Sequence, residues 1–330
     1  MEEKKWSISL SLLFLLFVYV LIHFEINANN IENAVQKLQG REVDSKKKLH
    51  FVLISQEFDN PYWRKVQQGA NVAAKNSNVN VEYIGPLRTS PEEQIKLLEK
   101  AIASQVDGII VQSLDEKTFA PVIDKAVSQH IPVITIDTDA PKSKRIAYVG
   151  TNNFSAGEQL GKIVAAKTNG VGKIGIIIGS EKSESQQMRL NGFLNVVKKY
   201  PKLQVKAIET SNISIIQAKL QAENMLRNNT DVSIMVGTSA LDAIGILNAS
   251  KNLKLNKIEI FGFDDIEGTL QAVRNESIRA TVIQKPYEMG LQSVRLLIDS
   301  LQGKVIEKEN FTPTEVVTKE TLARRRNVEN

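Results

Sequence analysis

The feature that most constrains this chain is an internal echo. Phe51-Val-Leu-Ile-Ser55 leads through Gly108-Ile-Ile-Val-Gln112 to Pro132-Val-Ile-Thr-Ile-Asp137. Later, Ile174-Gly-Ile-Ile-Ile-Gly179 leads through Ser233-Ile-Met-Val-Gly237 to Ile258-Glu-Ile-Phe-Gly-Phe-Asp264. From first run to final aspartate the spacing is 86 residues in one half and 90 in the other. Two similar lobes in tandem explain this economically.

The runs themselves read as strands at 51–55, 79–84, 108–112, 133–137 and 147–150, then at 174–179, 204–208, 232–236, 258–263 and 279–283. Apolar runs without polar alternation suit parallel strands covered on both faces. Helices fill the gaps. Asn60 is placed to cap a helix that has Pro61 at its first position. Ser90-Pro91-Glu92-Glu93 is a capping box for a helix over 92–104, with Ile95, Leu98 and Ile102 on one face. The repetition predicts an α/β fold of two doubly wound parallel-sheet lobes. Two such lobes fit a chain of 330 residues with 42% hydrophobic content.

In open parallel sheets, ligands bind outside the carboxyl ends of the strands. Asp137 and Asp264 both fall there and face each other if the lobes do. A carboxylate at such a place accepts hydrogen bonds from vicinal hydroxyls of a sugar. Alternatively, each caps the next helix or a turn. Asn60-Pro61-Tyr62-Trp63 follows the first strand, and a ring of Tyr62 or Trp63 there can cover the apolar face of a sugar. Trp63 reads equally as a core residue of its helix. Arg189 offers a fork of donors if it lies in the cleft, and is a surface arginine if it does not. Ser155-Ala-Gly-Glu-Gln-Leu-Gly161 lacks the lysine of a phosphate loop and reads as close helix packing.

Composition removes other chemistries. The chain has no cysteine, which excludes disulfides, thiolate metal sites, cysteine nucleophiles and a lipid on an N-terminal cysteine. Its three histidines, His23, His50 and His130, have no metal-binding spacing. No cofactor or metal is expected. Part of the net charge of +5 comes from Lys46-Lys47-Lys48 and Arg324-Arg325-Arg326, which read as solvated tails rather than nucleic-acid patches.

The N-terminus reads as a membrane address. Residues 6–24 are nearly all apolar, with Lys4 and Lys5 before and Glu25 after. Such a run spans a hydrocarbon core with its N-terminus inside. It is long for a cleaved signal peptide, and Ile26 is unfavourable for cleavage after Ala28. An uncleaved anchor is therefore expected, with the globular part outside the cell membrane. Residues 25–48 read as a stalk or linker, with Ile31, Val35 and Leu38 at helical spacing, and either a packed amphipathic helix or a plain spacer fits them.

The chain resembles the ribose-binding-protein group of type I periplasmic binding proteins, related to the sensor domains of lactose-repressor-type regulators. The resemblance covers roughly residues 49–319. It is carried by Ser55-Gln-Glu-Phe-Asp-Asn-Pro-Tyr-Trp63, Gln67-Gln-Gly-Ala70, Pro132 to Asp137, Arg189-Leu-Asn-Gly-Phe193, Gly262-Phe-Asp264 and Ala280-Thr-Val-Ile-Gln284. It implies a three-crossover hinge, with lobe 1 over 49–151 and 285–314, lobe 2 over 152–284 and 315–322, and a tail over 323–330. It also implies hinge closure on a small sugar, and service to an ATP-driven importer (an ABC permease) or to a histidine-kinase ectodomain. The implied contacts are Ser55, Asn60, Tyr62, Trp63, Gln112, Asp137 and Thr138 from lobe 1. Arg189, Thr238 and Asp264 come from lobe 2 and Gln284 from the hinge. The group's ribose binders carry Arg where this chain has Thr138, and Asn-Asp where it has Thr238-Ser239, so ribose itself is not implied. A sugar-processing enzyme and an interaction protein with a degenerate cleft are the alternatives.

Overall fold

The computed structural model describes residues 19, 23–25, 27 and 48–329. The chain divides into Met1–Lys48 and Leu49–Asn330. Among the described residues no helix is long and apolar enough to cross a membrane. The expected anchor over 6–24 lies outside them except for Tyr19, His23 and Phe24, and so does most of the 25–48 stalk.

The first sheet holds β1 (Leu49–Ile54), β2 (Val79–Ile84), β3 (Gly108–Val111), β4 (Val133–Ile136) and β5 (Ala147–Thr151). Between them run α1 (Pro61–Lys75), α2 (Pro91–Ala103) and α3 (Glu116–Ser128). The chain then enters α4 (Asn153–Lys167) and a second sheet of β6 (Gly172–Ile178), β7 (Leu203–Thr210), β8 (Ile234–Gly237), β9 (Glu259–Phe263) and β10 (Ala280–Ile283). Here α5 (Glu184–Val197), α6 (Ile215–Asn228), α7 (Asp242–Asn252) and α8 (Glu267–Arg274) are the crossovers. After β10 the chain returns through α9 (Pro286–Leu301) to β11 (Glu309–Thr312), then crosses again to β12 (Glu315–Val317) and α10 (Lys319–Glu329).

The strand orders are β11-β5-β4-β3-β1-β2 and β12-β10-β9-β8-β6-β7, the same arrangement twice. All pairs are parallel except β10 with β12. The sequence pattern does not reveal β11 and β12: Glu-Asn-Phe-Thr is mostly polar, and Glu-Val-Val, with only three residues, is too short to carry a pattern. The other strand boundaries lie within a residue or two of those read from the sequence. Residues 323–329 continue α10 rather than forming a separate tail.

Both faces of each sheet are covered, which is why the strands read as unbroken apolar runs. Phe51 and Leu53 enter one core cluster while Val52 and Ile54 enter the one on the opposite face. Ile174, Ile176 and Ile178 pack one side of the second sheet and Ile177 the other. The caps form as read: Asn60 Oδ1 accepts from the Tyr62 amide at 3.0 Å, and Ser90 Oγ from the Glu93 amide at 3.3 Å. The glycines of 155–161 do serve helix packing. A Cβ on Gly157 would meet the carbonyl of Arg189, so α4 and α5 cross backbone to backbone. Gly290 on α9 meets the Val66 carbonyl of α1 in the same way.

Candidate functional site: a cleft between two strand-end aspartates

Each half ends a central strand on an aspartate in the left-handed region, Asp137 at φ 64° and Asp264 at φ 66°. Aspartate tolerates this conformation better than most residues. The local wiring is repeated. The Asp137 amide donates to Val149 O at 3.0 Å, and the Asp264 amide to Val282 O at 2.8 Å. The preceding residue on each neighbouring strand holds the aspartate's carbonyl: Tyr148 Oη to Asp137 O and Thr281 Oγ1 to Asp264 O, each 2.8 Å.

Both aspartates line one small inter-lobe cavity of about 60 Å³. Asn60, Tyr62, Trp63, Arg189 and Gln284 line it too. Thus these predicted residues are brought together. Tyr62 Oη donates to Asp137 Oδ1 at 2.6 Å, so its ring lies in the cleft with its hydroxyl on the carboxylate. Trp63 is 2% exposed and belongs to the lobe 1 core, as the core reading expects, while one edge of it reaches the cavity lining.

Arg189 is buried, not on the surface. It donates to Thr238 O at 2.5 Å and Asn153 Oδ1 at 2.6 Å, and its guanidinium lies 3.6 Å from the Phe263 ring centroid. Gln284 Nε2 donates to Asp264 Oδ1 at 2.9 Å, and its Oε1 accepts from Thr151 Oγ1 at 2.7 Å.

Ser55, Gln112, Thr138 and Thr238 do not line the cavity. Ser55 is fully buried and donates to Ile84 O at 3.2 Å. Gln112 sits behind Asp137 and donates to its Oδ2 at 2.6 Å. Thr238 donates to Gln186 Oε1 at 2.9 Å. Thr138 instead joins the lobes, its hydroxyl bonded to that of Ser185 at 2.9 Å. A second bridge runs from Lys65 Nζ on α1 to Asp265 at 2.8 Å. The cleft is therefore shut.

The sequence reading does not include Gln56, Ser185, Gln186, Ile213, Ser239 and Ala240, which also line the cavity. Ile213 had one available signal, the loop Ser211-Asn212-Ile213 after β7, but only coordinates show Asn212 and Ile213 both at positive φ.

Electrostatically the site is a desolvated acid pair around one cation. Burial pushes the Asp264 carboxyl up to about 7, against the opposing pull of Arg189 and the Gln284 hydrogen bond. Burial also raises Asp137, opposed by the Tyr62 hydrogen bond and by Arg189. Arg189 is lowered by burial and held up by the two aspartates. Arg189 Nε and Ser239 Oγ are buried with no hydrogen-bond partner among the described residues. Such groups are uncommon in native interiors and leave capacity for a polar ligand. Larger cavities occur elsewhere, of about 440 and 500 Å³, but neither brings paired carboxylates and a guanidinium together.

The sequence matches the family of periplasmic binding protein domains over residues 51–305. The chain belongs to that family. As a periplasmic binding protein it has solved relatives of the same shape. It is 42% identical to GanP, a glucose-galactose binding protein from Geobacillus stearothermophilus, with a TM-score of 0.82 over 84% of this chain and 99% of that one. It is 34% identical to a chain of the XylFII-LytSN complex, with a TM-score of 0.79 over 83% of this chain and 98% of that one. It is also 24% identical to the ribose import binding protein RbsB of Bacillus subtilis, over 83% of this chain and 88% of that protein. The two-lobed α/β fold with parallel sheets is that of type I periplasmic binding proteins.

Proposed function

We propose that this periplasmic binding protein is an extracytoplasmic, membrane-anchored receptor that closes its lobes on a small sugar, a pentose, hexose or similar polyol. The observation that carries the reading is the pair Asp137 and Asp264, one from each lobe, lining one cavity with Arg189 and Gln284. Ionised carboxylates accept from vicinal hydroxyls, the guanidinium donates to ring or hydroxyl oxygens, and Tyr62 covers an apolar ring face. Ligand hydroxyls take over the contacts that Tyr62 and Gln284 now make with the aspartates. Closure is a population shift driven by contacts made to both lobes at once. The sugar-binding descriptions of GanP and RbsB support this class of ligand.

Binding rather than turnover is the better reading of the acid pair. The raised Asp264 has the protonation range of a general acid, but its cause is burial, which Arg189 and the Gln284 hydrogen bond oppose, and the same burial is what a site that holds a polar ligand between two lobes produces. The apolar run over 6–24 supports an uncleaved anchor with the lobes outside the membrane. A histidine-kinase ectodomain is favoured as partner over an ABC permease, supported by the likeness to the chain solved in the XylFII-LytSN complex.

A panel of pentoses and hexoses, screened by thermal shift and followed by calorimetry, tests the reading. At least one sugar is expected to bind stoichiometrically without being converted. No binding across the panel, or turnover of the sugar, would contradict it.

A further inference from the structure

A second inter-lobe cavity lies beside the hinge. It measures about 440 Å³, within the roughly 300–1,000 Å³ range of small-molecule sites. Its walls come from both lobes. Phe311 of β11 and buried Tyr148 of β5 contribute aromatic rings, set edge to face with centroids 6.1 Å apart. Phe154 at the start of α4 and Met188 on α5 complete an apolar wall. Phe154, Met188 and Phe311 are 37%, 41% and 49% exposed, an unusual concentration of large apolar groups open to solvent.

The charge of this cavity is one-sided. Three carboxylates line it and no lysine or arginine does. Asp139 is neutralised by Arg145, which binds both its oxygens at 2.5 Å. Glu184 and Glu309 have no ion pair among the described residues. Burial, then Glu116 and Asp139, raise the Glu184 carboxyl, and the Lys142 ammonium opposes them only in part. No group of three or more acidic, histidine or cysteine ligands is arranged for a metal ion among the described residues. Aromatic faces beside free carboxylates are the environment that stabilises an organic cation.

From this geometry we infer that the hinge-side cavity is a second binding site, distinct from the aspartate cleft, for a small organic cation with an apolar body, an arylalkylamine or similar ammonium. The ammonium lies between Glu184 and Glu309 and the apolar body against Phe154, Met188 and Phe311. Ser185 lines both this cavity and the aspartate cleft and carries the Thr138 bridge between the lobes. Because both lobes build the wall, occupancy favours the lobe arrangement that forms it, and the two sites are linked reciprocally.

The test uses the full chain and phenethylamine, with uncharged phenethyl alcohol and anionic phenylacetate as isosteres, in ligand-observed NMR titrations. Saturable binding of phenethylamine is expected, at least tenfold tighter than the alcohol, with none for phenylacetate. Glu184→Gln with Glu309→Gln should weaken it at least tenfold, and Phe311→Ala by a similar factor. These side chains are exposed, so unfolding midpoints should not move. Asp264→Ala should still bind phenethylamine saturably while losing the sugar, which separates this site from the sugar cleft. Equal affinity for amine and alcohol, undiminished binding in the double glutamine variant, or loss of binding in Asp264→Ala would overturn the inference.

Discussion

Thr151 donates a hydrogen bond to Gln284 at 2.7 Å, and the two residues hold the same place in the two halves. Thr151 lies two residues beyond Val149, whose carbonyl receives the Asp137 amide; Gln284 lies two beyond Val282, whose carbonyl receives the Asp264 amide. Each ends a strand from which the chain crosses to the other lobe. The two halves therefore touch at equivalent points on the hinge, and Gln284 extends that contact to a cleft aspartate.

Arg189 supplies the positive charge that opposes the desolvation of the acid pair. Replacing it with alanine removes the hydrogen bonds to Thr238 and Asn153 and leaves two buried carboxylates without their cation. Arg189→Ala should lower the unfolding free energy by about 3–5 kcal/mol. Arg189→Lys keeps the charge but not the fork and should recover only part of it. Urea denaturation of the three proteins checks this.

The helix crossings depend on absent side chains. A Cβ on Gly157 or Gly290 meets a backbone carbonyl of the facing helix, which has no flexible end to move aside. Gly157→Ala and Gly290→Ala should each cost about 1–3 kcal/mol. On α8, the nearest atom to a Cβ on Gly268 is the Ile244 side chain at 3.3 Å. Gly268→Ala should be neutral or slightly stabilising. Thermal midpoints separate the two classes.

Acidity should favour the shut, ligand-free cleft. The Asp264 carboxyl stands near 7 in this buried setting against a usual value near 3.8, and Asp137 is raised as well. The shut form thus holds more protons than an open, solvated one, so its penalty is fully present above about pH 7 and relieved as pH falls towards 4. Arg189, Gln284 and Tyr62, which face the pair, reduce the effect without reversing it. Small-angle scattering of ligand-free protein should show a smaller radius of gyration at pH 5 than at pH 8. No change, or expansion on acidification while the fold is intact, would contradict it.

The echoed strands, the caps at Asn60 and Ser90 and the strand-end aspartates were legible because each is a local pattern. Two aspartates at equivalent ends of equivalent strands must share a cleft if the lobes face each other. What was not legible depends on distant pairing. Thr138 does not line the cavity but joins lobe to lobe, since its partner Ser185 is 47 residues away. Gln112 and Thr238 act behind the lining on Asp137 and Gln186. The strands β11 and β12 are four and three residues long, too short for a run, and each is placed by its pairing with a strand far away in the chain.

The Lys65–Asp265 bridge should contribute modestly to closure. Its side chains are 41% and 27% exposed, which places it among pairs worth about 0–1 kcal/mol. Lys65→Ala should weaken ligand binding by less than about fivefold, and the difference from the unmutated protein should shrink in 1 M salt. Calorimetry at two ionic strengths reads this.

The central claim is that carboxylates from both lobes grip one captured molecule. The most direct measurement is calorimetric titration of the best-binding monosaccharide into the unmutated chain and Asp264→Ala, with circular dichroism to verify the fold. The account predicts that the folded alanine variant binds at least a hundredfold more weakly. Undiminished affinity in that variant would contradict it.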